Sequence, residues 1–262
     1  MPAEYGFVLE AVVAGLLASV ACGLGVLPLA VRGWDIQRHI GIGYGFAGGL
    51  MFAASLYNLL LPAFTLGSGE STKLWPVLQT LFGLALGCGF LWVVRRSLTP
   101  ERLESSWLKP IGGRVETLVF IAMAFHSIPE GVAVGVGFGA EGREASLSGF
   151  GVYIAIAIGI HNMPEGLAVA LPARAEGASL WKCFWLAFLT SLPQPLAAVP
   201  ASLLVWFFEP MMLPLLGFAA GAMMYLVLVE LIPDALETRS PDQIAWSFMT
   251  GFSLMALVQV AL

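Results

Sequence analysis

Apolar residues run in eight long blocks, approximately 7–31, 40–66, 75–94, 115–138, 149–173, 180–206, 211–233 and 244–262, with short joints of charged residues, proline or glycine between them. A helix crossing a bilayer needs about 20 predominantly apolar residues, and each block suffices once tilt is allowed. The blocks are continuous rather than alternating and exceed the roughly 10 residues of a barrel strand. The pattern predicts an all-α membrane protein, a single polytopic domain over residues 1–262 with eight transmembrane helices.

Composition sharpens this picture. The chain has 262 residues, 58% hydrophobic and 11% charged, against about 25% charged in soluble domains. A soluble enzyme, a disordered protein and a secreted disulfide scaffold are therefore excluded. The net charge of −5 leaves no basic surface for nucleic acid, so the expected partners are membrane lipid and small ions. Cys22, Cys88 and Cys183 stand alone in apolar blocks, which supports neither a zinc knuckle nor a dithiol motif.

Charge placement sets an orientation. All Lys and Arg residues except Lys73 and Arg143 fall in the joints after blocks one, three, five and seven. The positive-inside bias then places both termini outside the cytoplasm. The first ten residues carry Glu4 and Glu10 but no basic residue, so the first block is expected as a retained helix rather than a signal peptide.

Polar residues inside a bilayer are costly and usually functional. Block four contains FHSIPEGVAVGVGFG, and block five contains IHNMPEGLAVALP. Each carries H-x-x-P-E-G-x-A-V. His126 and Glu130, and likewise His161 and Glu165, are spaced i, i+4 and share a helix face. Both histidines fall near mid-span, the depth at which transporter sites lie. Two imidazoles and two carboxylates at one depth suit a divalent transition metal. A hydrogen-bonded polar seam is the plainer alternative, and duplication at matched depth weighs against it. Pro129 and Pro164 each remove an N–H and disturb the carbonyl four residues back, Phe125 and Ile160. Gly131 and Gly166 permit close helix approach.

These motifs resemble the ZIP (Zrt-, Irt-like protein) family of divalent-metal transporters, and their PEG endings and short loops resemble its GufA-like branch. AGGLMFAASLYNLLLPA, SLPQPLAA and AGAMMYLVLVELIPDA are similar to the family's second, sixth and seventh helices. The resemblance implies both termini outside, an inverted repeat of helices 1–3 and 6–8 around helices 4 and 5, and a pathway lined by helices 2, 4, 5 and 7. It implies His126, Glu130, His161 and Glu165 as metal ligands, with both glutamates bridging, and Met51 as a soft further contact. A second metal would use the positions of Ser127, Asn162 and Gln194. Ser and Gln replace the more usual Asn and Glu there, so a tight two-metal centre is not expected. Glu230 falls in the neighbourhood of a metal exit site, where an interfacial glutamate reaching water is the equal alternative. Tyr57 and Asn58 are expected to make helix–helix hydrogen bonds rather than line the route. His39 is expected to be solvated, and residues 95–114 contain no histidine run that would sense metal.

The leading expectation is transport toward the cytoplasm of Zn²⁺, or of Fe²⁺, Mn²⁺ or Cd²⁺, which imidazole–carboxylate sites also accept. The metal is substrate rather than cofactor, and the chain is no enzyme. The alternative is an intramembrane metal-dependent hydrolase using the same ligands. Against it, neither HExxH nor a serine–lysine dyad is present. A multi-pass protein of a bacterial inner membrane, assembled as a homodimer, completes the expectation.

Overall fold

The structure is a computed structural model that describes residues 5–31, 36–66, 74–98 and 114–261. Arg32, Lys73, Arg102 and Lys109 lie outside the described residues, as do the side chains of Arg38, His39 and Arg114. Every described element is helical. In chain order these are α1 (Gly6–Leu24, then a 3₁₀ turn Leu27–Ala30), α2 (Ile36–Ala54, a π turn Ser55–Leu60, then Leu61–Leu66), α3 (Leu74–Ser97), α4 (Arg114–Arg143) and α5 (Phe150–Ala175). There follow α6 (Leu180–Thr190 and Pro193–Phe207), α7 (Met212–Leu226, a π turn Val227–Leu231, then Ile232–Thr238) and α8 (Pro241–Ala261). All 8 are long and apolar enough to cross a membrane.

Proline explains the irregularities. Pro62 and Pro233 each stand two residues beyond a π turn. A proline ring presses on the carbonyl four residues back, here Asn58 and Val229, and widening the preceding turn relieves that clash. Helix α7 therefore continues past Pro233, where its apolar block ends, to Thr238. In α6 the chain breaks at Ser191–Leu192, just before Pro193: proline has no N–H to continue the ladder and its ring presses on the carbonyl four residues back, so the turn tightens to bonds such as Leu192 N to Leu189 O. The freed carbonyls find hydroxyl donors on other helices: Ser19 Oγ donates to Ser191 O at 2.9 Å and Ser127 Oγ donates to Thr190 O at 3.0 Å. The break thus ties α6 to α1 and α4.

Two groups of four helices result. α1, α4, α5 and α6 pack on one another, and so do α2, α3, α7 and α8; the groups meet chiefly where α4 faces α7 and α2 faces α5. Lipid is as apolar as leucine, so small residues rather than hydrophobicity draw such helices together. Gly131, Gly135 and Gly139 form a row along α4, and an added Cβ at each would strike the backbone of Gln194, Ala198 or Ser202 on α6. Gly83 and Gly87 on α3 meet Pro214 and Phe218 of α7 in the same way. Large apolar side chains such as Trp246 and Val260 of α8 face outward, as lipid-facing residues do.

The turn between α4 and α5 is closed by Glu141. Its carboxylate accepts from Gly149 N at 3.0 Å and Gly151 N at 3.1 Å, satisfying amides at the start of α5. Gly149 has φ +87°, a left-handed conformation that glycine adopts without penalty. Replacing Glu141 by alanine should lower stability by about 1 kcal/mol, as loss of a helix cap does. Thermal unfolding in detergent reads this, and an unchanged midpoint would count against the cap.

Candidate metal centre

Helices α4 and α5 are consecutive spans and run antiparallel. In each motif, histidine and glutamate are about 6 Å apart along the axis, four residues at 1.5 Å each. Antiparallel neighbours therefore set the glutamate of one motif level with the histidine of the other. The structure shows this pairing: His161 Nε2 lies 3.4 Å from Glu130 Oε1. Glu165 joins them, so that ligand atoms of Glu130, His161 and Glu165 all lie within 4.8 Å of one another. The three are 0%, 1% and 5% exposed. No Lys or Arg pairs with either glutamate among the described residues.

This trio is short of hydrogen-bond partners. Glu130 Oε1, Glu165 Oε1 and both ring nitrogens of His161 are buried with none, as is Asn162 Oδ1. Buried polar atoms are almost always paired, and leaving one unpaired costs about 1–3 kcal/mol. Most of the unpaired atoms are acceptors in want of a positive partner, which a cation among them would supply.

The other face of the cluster is satisfied. Asn162 Nδ2 donates to Ala18 O at 3.1 Å and to Gln194 Oε1 at 3.2 Å. Gln194 Nε2 donates in turn to Glu130 Oε2. A backbone carbonyl on α1 is thereby linked through two amides to a carboxylate on α4.

The remaining candidates make contacts of their own. His126 is buried but is not part of the trio; its Nε2 faces Glu230 Oε2 at 3.7 Å, across the boundary between the helix groups. Ser127 is engaged with the carbonyls of Met123 and Thr190. Met51 is buried in the apolar core. Glu230 sits in the π turn of α7 with its side chain 31% exposed. Asn58, in the π turn of α2, is buried with neither amide atom bonded, so the expected helix–helix hydrogen bond is absent. Tyr57 packs against Phe252, ring centroids 6.0 Å apart.

A cavity of about 160 Å³ links Glu165 of the trio with Glu230; Tyr44, Met123 and Asp234 are also among its lining residues. They come from α2, α4, α5 and α7. The sequence reading missed Tyr44 and Asp234. Asp234 follows Glu230 at i+4, the same-face spacing that exposed the two histidine motifs, and could have been found by it.

Fold and site together define an integral, multi-pass α-helical membrane protein with carboxylates and an imidazole clustered inside its helices. Residues 110–259 match the family described as ZIP Zinc transporter. The chain is 33% identical over 255 residues to the zinc transporter GufA of Myxococcus xanthus, covering 95% of this chain and 98% of that one. It is 31% identical over 261 residues to the zinc transporter ZupT of Chlorobium phaeovibrioides, with 92% and 94% covered. To the zinc transporter ZIP11 of Homo sapiens it is 42% identical over 159 residues, covering 60% of this chain and 45% of that protein. The chain belongs to the ZIP family. It spans less than half the length of the plant and animal relatives it matches, and nearly all of GufA and ZupT.

Proposed function

We propose that this protein moves Zn²⁺, or a similar divalent ion such as Fe²⁺, Mn²⁺ or Cd²⁺, across the membrane toward the cytoplasm, holding it in transit at Glu130, His161 and Glu165. The observation that carries this reading is the set of buried, unpartnered acceptors on those residues. Two carboxylates side by side repel in a low-dielectric interior, and a dication between them reverses the sign of that interaction. Asn162 offers its free Oδ1 as a neutral further donor. The names of the bacterial relatives, which are zinc transporters, support zinc as cargo.

The cavity supplies the onward route. Beyond Glu165 it reaches Glu230 and Asp234, with His126 beside Glu230. With the termini outside, as the cationic joints place them, Asp234 lies toward the cytoplasmic end of α7. An ion leaving the trio would pass His126 and Glu230 and then meet water. We further propose a bacterial inner membrane as the host and a homodimer as the assembly.

Zinc uptake into sealed proteoliposomes containing the purified protein tests this reading directly. Flux above that of empty vesicles is expected, and its absence in correctly folded protein would defeat the proposal. A hydrolase built on the same residues would need a further carboxylate as base, and the trio offers only its own two glutamates. Turnover of lipid or peptide without ion flux would favour that chemistry.

Uptake should also depend on pH. Metal binds neutral imidazole and ionised carboxylate, so protons compete with it. Flux is therefore expected to decline as the pH on the loading side falls. Uptake that stays level from neutral to acid pH would speak against a site built of imidazole and carboxylate ligands.

A further inference from the structure

We infer that Gln194 sets the stoichiometry of the centre: its amide nitrogen holds the position on Glu130 that a second cation would take, so the site accommodates one divalent ion. This rests on the proposed role of Glu130, His161 and Glu165 as the transit site.

A carboxylate that bridges two cations gives one oxygen to each. In this structure the oxygens of Glu130 are already divided. Oε2 accepts from Gln194 Nε2, while Oε1 is unpartnered and faces His161. Only one oxygen is left open, on the side where Glu165 and His161 converge.

The amide cannot be turned around. Ala18 O is a backbone carbonyl and only accepts, so the nitrogen of Asn162 must face it. That same nitrogen has a second hydrogen and donates it to Gln194 Oε1, which leaves Gln194 Nε2 to meet the carboxylate. Reversing Gln194 would set its oxygen against Glu130 and its nitrogen against the nitrogen of Asn162. Both contacts would be repulsive.

Gln194 is also fixed in space. It is 0% exposed and begins the second half of α6 directly after Pro193. Gly131, the residue next to Glu130, packs so closely that an added Cβ would strike the Gln194 carbonyl oxygen. An ion on Oε2 would have to displace this amide and break the Asn162 link. Charge gives the same answer. Two dications against two carboxylates leave about two positive charges uncompensated in the interior, which is expensive. One dication is balanced.

The test is the number of ions bound between α4 and α5, read from zinc anomalous differences in crystals of the protein equilibrated with a small excess of zinc. The unmodified protein is expected to show one position, and Gln194→Glu two. Two fully occupied positions in the unmodified protein would overturn the inference, and this arm needs no variant to fold. A folded Gln194→Glu protein that holds one ion would overturn it as well. Gln194→Leu removes the donor but fills its place with an apolar group that offers a cation no ligand and adds no charge; it should keep one position and weaken zinc affinity by roughly 10–100-fold, the range for losing a group that orients a ligand. Unchanged affinity in Gln194→Leu would show that the amide does not hold Glu130. Failure of the underlying reading looks different: the unmodified protein would then show no ion at Glu130, His161 and Glu165.

Discussion

Replacing Glu130 and Glu165 together by alanine is expected to abolish zinc uptake while leaving the protein at least as resistant to heat as the unmodified chain. The two effects have one origin. In the ion-free protein, the carboxylates sit within 4.8 Å of each other and of His161, buried and without a cationic side chain among the described residues. Such a pair works against the fold, because like charges repel in a low-dielectric interior, and relief of that repulsion offsets the roughly 1–3 kcal/mol lost when Gln194 Nε2 is left without its acceptor. With the ion present, the same groups supply all of the negative charge in the trio. Losing a residue that merely orients a metal ligand costs roughly 10–100-fold, so removing both charged ligands should exceed about 100-fold. Proteoliposome flux and thermal unfolding of the same preparation check both halves. Ordinary uptake by the folded double variant would sink the assignment of the site. A sharp loss of thermal stability would show that the pair is structural.

The second large effect is steric. Replacing Gly166 by alanine is expected to disrupt the junction of α1 and α5, although alanine is the better helix former by about 1 kcal/mol. A Cβ at Gly166 would land on the carbonyl oxygen of Cys22, a backbone atom that no rotamer change can move aside. Overpacking a filled interior costs about 1–3 kcal/mol, and a clash with backbone belongs at the upper end. The helices can only separate, which would pull Asn162 away from Ala18 on α1. Gly159, two turns earlier on α5, has nothing within 4 Å of an added Cβ. Gly159→Ala should therefore be neutral or slightly stabilising. Measured in parallel, the two substitutions should move the unfolding midpoint in opposite directions or by very different amounts. Equal effects would mean that helix propensity, not the Cys22 contact, governs both.

Eight helices and a polar cluster on α4 and α5 were legible from the sequence because hydrophobic length and i, i+4 spacing are local properties. The sorting of the four motif residues was not. These helices are apolar on every side, so hydrophobic periodicity does not say which face meets which neighbour. The pairing of His161 with Glu130 follows from antiparallel geometry, but the turning of His126 toward Glu230 depends on how α4 sits against α7, a distant part of the chain. Gln194 was read as a substituted ligand because only its identity is visible in sequence. Its hydrogen bonds to Asn162 and Glu130 depend on the break in α6. The π turns escaped notice for a related reason: Pro62 and Pro233 marked the places, but a proline is equally compatible with a kink, and Pro129 and Pro164 pass through α4 and α5 without interrupting them.

Those π turns bear on how chains of this kind should be aligned. A π turn is an α-helix that has absorbed one extra residue, and one residue corresponds to about 100° of rotation. In α2 the residues before Ser55 and after Leu60 are therefore out of phase by that angle, and in α7 the same holds on either side of Val227–Leu231. A relative lacking the extra residue would need a gap inside the membrane-spanning segment rather than in a loop. An alignment that forbids such gaps would keep Met51 in register while assigning the residues around Pro62 to the wrong side of the helix.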